Sequence, residues 1–257
     1  MEVKTHAADD LRTLAELYDR AGLLHHVSRR VSSENELMAV MKKTGGTMPV
    51  LFHKVDDYEC PVVTGLGGTR ALLAASMGIT QDRLREHLAS AITHPLPCQT
   101  VTQAPCQEKV IQAPFALNEY FPVLRHYEKD NGRFVISGML IVKSEDGSRY
   151  YTSVRRMWYK GGSEMTLLIT SREMQQQIAL HERLKKPLDI ALVFGLVPGM
   201  VLGSQISTHL YNADKLAVTG ALLGAPLRVV HCKTVDLVVP AAAQVVLEGK
   251  CYPWEKH

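Results

Sequence analysis

The stretch from Phe134 to Gly161, FVISGMLIVKSEDGSRYYTSVRRMWYKG, constrains the fold more than any other. Two runs rich in β-branched and aromatic residues flank Glu145-Asp146-Gly147-Ser148, a string of turn formers, so the segment reads as an antiparallel hairpin. Within its second arm, Thr152-Ser153-Val154-Arg155-Arg156-Met157, strand alternation sends Arg155 and Arg156 to opposite faces. One of the two therefore points inward. An inward arginine needs an anion, whether a structural carboxylate, a phosphate or a substrate carboxylate. Glu248 is the candidate partner if its strand is a neighbour.

Further short apolar runs supply the rest of a sheet: DIALVFG (189–195), PLRVVHC (226–232), DLVVP (236–240) and VVPAAAQVVLEG (238–249). In the last of these a strand breaks at Pro240, crosses three alanines and re-enters an apolar segment ending at Glu248. Thr166 to Thr170 reads as another strand. Ser171 to Lys186 reads as a helix stopped by Pro187, and helical turns are expected over Pro198–Ser204 and Asp214–Leu223. The second half is thus a β-barrel or β-sandwich with a helical insertion.

The first half alternates helix and short strand. Asp9 and Asp10 precede Leu11, Leu14, Leu17, Tyr18 and Ala21 at helical spacing, with Gly22 as the stop. After a strand over Val27–Val31, Ser33 and Glu36 have capping-box spacing before a helix through Met41. PVLFHKV (49–55) and PVVTGL (61–66) read as buried strands, Ala71–Met77 and Gln81–Ile92 as helices. GLGGTR (65–70) lies between a strand and a helix but lacks both phosphate-loop glycine spacings, so it is read as a turn. His94 to Pro114 is a linker or extended crossing. The chain is accordingly divided at 1–113 and 114–257.

Composition narrows the function class. At 257 residues, 46% hydrophobic and 21% charged, the chain is ordinary for a globular protein. A net charge of +3 is too small and dispersed for nucleic acid. No apolar run approaches the ~18 residues of a membrane span, and the N-terminal stretch has no signal-peptide core, so a cytoplasmic location is expected. Five scattered cysteines without CxxC spacing suggest neither a zinc site nor a disulfide framework. His25-His26, placed at a helix end, His53, His181 and His209 lack metal-ligand spacing. His126 falls in a loop and is read as solvated. There is no GxSxG elbow.

Taken together, four blocks resemble the UbiD family of decarboxylases. DLRTLAELYDRAGLL with VSSENELMAV is similar to the family's opening helices, and PVLFHKVDDYECPVVTGLGGTRALLAASMGI to its first strands. FPVLRHYEKDNGRFVISGMLIV resembles the segment entering the cofactor domain, and GALLGAPLRVVHCKTVDLVVPAAAQVVLEG the closing Glu-Gly signature. The resemblance implies an α+β (mixed α/β) chain, with an N-terminal α/β domain and a split β-barrel of flavin-reductase-like type, incomplete relative to the family. It implies a carboxy-lyase that removes or exchanges the carboxylate of an aromatic or α,β-unsaturated acid using prenylated FMN, as a homo-oligomer or with a companion subunit. By the same resemblance Thr152, Ser153, Val154 and Arg155 contact the cofactor, Arg156 orients the substrate carboxylate and Glu248 delivers a proton. The sequence departs from the family at Tyr151, at Glu173 or Met174, and at Lys215, where metal ligands are expected, and at Gln244, where an acid is expected. Lys215 would oppose a divalent metal and could itself neutralise a phosphate. A non-catalytic flavin-binding or accessory subunit is the alternative these departures imply.

Overall fold

The computed structural model describes residues 7–207 and 214–255. Helix α1 (Leu11–Arg20) starts where Asp10 accepts the amides of Arg12 and Thr13, and it stops at Gly22, whose φ of 69° suits glycine. Its Leu14 and Tyr18 are fully buried, each such burial contributing about 1.5–3 kcal/mol. The Tyr18 hydroxyl donates to the carbonyls of Leu66 and Leu72 at 3.1 and 2.6 Å, which ties α1 to the third helix.

Strand β1 (His25–Val31) pairs in parallel with β2 (Val50–Val55), which pairs antiparallel with β3 (Val62–Thr64). His25 and His26 thus lie on a strand, not at a helix end. Between β1 and β2 runs α2 (Glu36–Lys43). The expected Ser33–Glu36 capping box does not form. Asn35 is the cap residue, in the left-handed region and without a side-chain cap bond. Ser33 is buried, its hydroxyl accepts from Arg133, and Glu36 reaches back to the Ser32 amide at 2.6 Å instead. A tertiary arginine outcompetes the local motif.

After α3 (Arg70–Ser76), the next expected helix opens with a 3-10 turn, Gln81–Arg83, and continues as α4 (Leu84–Thr93). The crossing segment is more than a linker. It contains β4 (Gln99–Val101), which pairs in parallel with β9 (Arg228–His231), itself antiparallel to β10 (Val238–Pro240).

The hairpin forms as read, from β5 (Arg133–Lys143) and β6 (Tyr150–Gly161). Strand β7 (Glu164–Leu167) ends short of the expected Thr170. Helix α5 (Arg172–Leu184) leads to β8 (Leu188–Phe194), and β11 (Val245–Cys251) carries the last strand. The resulting antiparallel sheet has the order β11-β8-β5-β6-β7 and forms a curled half-barrel. Helices α6 (Pro198–Ser204) and α7 (Lys215–Leu223) sit over it. They approach closely because residue 203 is glycine: a Cβ there would collide with Thr219. One core joins Leu14 and Tyr18 of α1, Met139 and Ile141 of β5, Ala191 and Val193 of β8, and Val229 and Val230 of β9. The fold is mixed α/β.

Candidate functional site

The two hairpin arginines point to opposite faces, as alternation requires. On one face, Arg155 Nη1 donates to the Thr170 hydroxyl at 3.2 Å and Nη2 to the Ser171 hydroxyl at 2.9 Å. Its Nε is buried and has no hydrogen-bond partner among the described residues, and burial pulls its pKa below the usual arginine range. Ser153 shares that face, with its hydroxyl 3.6 Å from Met174 Sδ.

On the other face lie Thr152 and Arg156. Thr152 is buried and its hydroxyl approaches the Ser204 carbonyl at 3.5 Å. Arg156 is more exposed: Nη2 donates to Asp130 at 2.7 Å, and its guanidinium lies 3.8 Å over the Phe134 ring. Asp130 also accepts the Tyr127 amide at 3.1 Å. Burial alone would raise the Asp130 value, but the Arg156 and Tyr127 hydrogen bonds outweigh it and the net direction is down. His126, read as solvated, is buried, and its Nδ1 has no hydrogen-bond partner among the described residues. Burial lowers its value; Asp130 opposes the shift and Arg156 adds to it.

Lys215 opens α7, behind Asp214, whose carboxylate caps the helix by accepting the Leu216 amide at 2.9 Å. Its ammonium donates to the Thr152 carbonyl at 2.8 Å and the Ser204 carbonyl at 3.2 Å. Burial pulls Lys215 below the usual lysine range; the Glu173 carboxylate opposes this and Arg155 adds to it. Lys215 thus meets β6 at the backbone carbonyl of Thr152, close enough to Arg155 for the two charges to interact, with Val154 between those two strand positions in register with Met139.

Glu248 stands apart. Its carboxylate accepts the Lys233 amide at 2.8 Å and both the amide and hydroxyl of Thr234 at 2.6 Å, holding the turn after β9 against β11. Strand β11 is three strands from β6, a lateral separation of about 14 Å at ~4.8 Å per strand. The strands of Glu248 and Arg156 are not neighbours, and the acid facing Arg156 is Asp130. Gln244, where the resemblance expects an acid, accepts from Arg12 at 3.2 Å.

Sequence reasoning missed Asp130, Phe134, Thr170 and Ser171. The first sits in the Asp130-Asn131-Gly132 turn and the last two flank a helix start, where local signals explain them without any site. No group of three His, Cys, Asp or Glu side chains that could hold a metal occurs among the described residues, and His209 lies outside those residues. Lys215, where a metal ligand was expected, presents an ammonium to two carbonyls, so the donor set does not fit a hard divalent cation.

Residues 99–257 match the 3-octaprenyl-4-hydroxybenzoate carboxy-lyase Rift-related domain, and residues 15–92 match the N-terminal domain of the same family. The chain belongs to the UbiD family. Among its UbiD relatives, anhydromevalonate phosphate decarboxylase of Methanothermobacter thermautotrophicus is 25% identical over 224 residues, covering 87% of this chain and 51% of the relative. Phenolic acid decarboxylase of Sedimentibacter hydroxybenzoicus is 28% identical over 262 residues, covering 95% and 54%. The fold is similar to an evolved dimeric form of the UbiD-class enzyme HmfF from Pelotomaculum thermopropionicum in complex with prFMN. The TM-score is 0.90 at 35% identity, over 95% of this chain and 57% of that one. The chain spans about half the length of the curated relatives it matches. No described helix is long and apolar enough to cross a membrane.

Proposed function

We propose that this chain is a UbiD-type carboxy-lyase, catalysing non-oxidative and reversible decarboxylation of an aromatic or α,β-unsaturated carboxylic acid with prenylated FMN. The observation that carries the reading is the pair of neighbouring, partly buried cations Arg155 and Lys215 at the Thr152–Arg155 strand. Burial opposes both charges, and an anion between them relieves that penalty. The phosphate of a flavin mononucleotide fits this requirement, with Thr152, Ser153 and Val154 lining the cofactor. When bound, the prenylated flavin supplies an electron sink for the charge left as carbon dioxide departs.

The chain's own residues would do the rest. Arg156 has five N–H donors and spends one on Asp130, which leaves donors for a substrate carboxylate. Glu248 would deliver the proton, which requires its carboxylate to leave the Lys233–Thr234 turn. The half-barrel would be the flavin-reductase-like split barrel, in a unit running 114–257 behind an α/β unit of 1–113, with β4 tying the two. A cytoplasmic location and assembly as a homo-oligomer or with a companion subunit belong to the same proposal.

A second reading, a non-catalytic flavin-binding or accessory subunit, is favoured by the pairing of the two candidate catalytic side chains: the bonds Glu248 accepts from Lys233 and Thr234 hold a turn, and Arg156 is already paired with Asp130. The experiment that separates the readings is expression with a prenylated-FMN supply, followed by the absorbance spectrum and exchange of labelled bicarbonate into a panel of aromatic and unsaturated acids. Bound flavin with exchange that Glu248→Gln abolishes supports the enzyme. Bound flavin without exchange supports the accessory reading, and a folded, flavin-free protein overturns both.

A further inference from the structure

Three sources of positive potential converge where β6 meets α5. The first is Arg155, whose two terminal nitrogens are held by Thr170 and Ser171 while its buried Nε lacks a partner among the described residues. The second is Lys215, whose bonds to the Thr152 and Ser204 carbonyls satisfy two of three ammonium hydrogens without neutralising the charge. The third is the start of α5. Ser171 is its N-cap residue, yet the side chain makes no capping bond to the first turn, and its hydroxyl accepts from Arg155 instead. The first-turn amides then keep the partial positive charge of an uncapped helix end. Glu173 is the counter-charge acting on Lys215, one carboxylate against two cations and a helix terminus.

We propose that this site binds the phosphate monoester of a flavin mononucleotide without any divalent cation, Lys215 supplying the positive charge directly. The inference rests on the flavin reading above and deepens it. Phosphate suits the arrangement on each count. Its oxygens accept from helix N-terminal amides, from a directional guanidinium N–H and from a point-charge ammonium. A divalent cation suits it on none, since such ions require several hard oxygen ligands and would be repelled by Lys215 and Arg155.

The test is titration of the full chain with FMN, followed by flavin fluorescence, in EDTA and in buffers containing magnesium or manganese, with riboflavin as the phosphate-free control. FMN affinity in EDTA should lie within about twofold of that with metal, and riboflavin should bind about tenfold or more weaker, as expected for loss of charge-assisted hydrogen bonds. Lys215→Met should weaken FMN by a similar factor and leave riboflavin unchanged, while Lys215→Arg retains most of the affinity. Should Lys215→Met fail to fold by circular dichroism, Ser171→Asp serves instead. It places a carboxylate at the helix start and should lower FMN affinity about tenfold. Binding of FMN only with added metal overturns this inference and leaves the flavin reading intact. Equal affinity for FMN and riboflavin also overturns it. No FMN binding in any buffer overturns both.

Discussion

His126 shows how one side chain can make the fold pH-dependent. Burial holds its value below the usual 6.5, with Asp130 opposing and Arg156 reinforcing the shift. The unfolded chain takes up a proton as pH falls through about 6.5, whereas the folded chain resists until a lower pH. Stability from this group is therefore fully present above pH ~6.5 and declines as pH drops from there towards the folded value. Urea midpoints measured between about pH 7 and pH 5 should fall more steeply for the wild type than for His126→Asn. Equal slopes would show that His126 is not held neutral. The loop reading of His126 was correct for its backbone and wrong for its side chain. Its burial, within electrostatic reach of Asp130 and Arg156, is a tertiary feature that no local pattern encodes.

Among elements, α6 and α7 decide where Lys215 goes. Gly203 allows the two helices to touch, and α6 contributes the Ser204 carbonyl that receives the ammonium. Gly203→Ala should cost about 1–3 kcal/mol through overpacking, read as a lowered calorimetric Tm, and should weaken FMN binding in parallel. Unchanged Tm would mean that the helices separate without penalty. The existence of both helices was legible from Pro198 and from the Asp214 cap. Their contact was not, because glycine in a helix signals equally a weak propensity and a close approach. The hairpin was the most legible element of all. Two β-rich arms and an Asp-Gly turn specify β5 and β6, and alternation then separates Arg155 from Arg156.

Across the whole molecule, α1 shares one core with β5, β8 and β9, so the two halves of the sequence are expected to unfold together. Leu14→Ala removes a fully buried side chain from that core and should lower stability by about 2–5 kcal/mol. Tryptophan fluorescence from Trp158 and Trp254, both in the second half, should report the same shifted urea midpoint as far-UV circular dichroism. A Trp transition that stays in place while circular dichroism shifts would mean that the halves are energetically independent.

The sequence by itself determined most of the elements, though not β4, and the family. Periodicity, turn residues and caps act within a few residues, and blocks along most of the chain carry the UbiD resemblance. It also singled out Arg155 and Lys215, which the structure holds near the same stretch of β6. Tertiary structure alone decided the pairings. Arg156 meets Asp130 rather than Glu248 because strand order, not strand content, puts β11 three places from β6. Ser33 yields its cap to Arg133, and Ser171 turns its hydroxyl to Arg155, because a guanidinium brought from far along the chain binds more strongly than a neighbouring amide. Such contacts depend on which distant segments share a face, and that is fixed only when the sheet assembles.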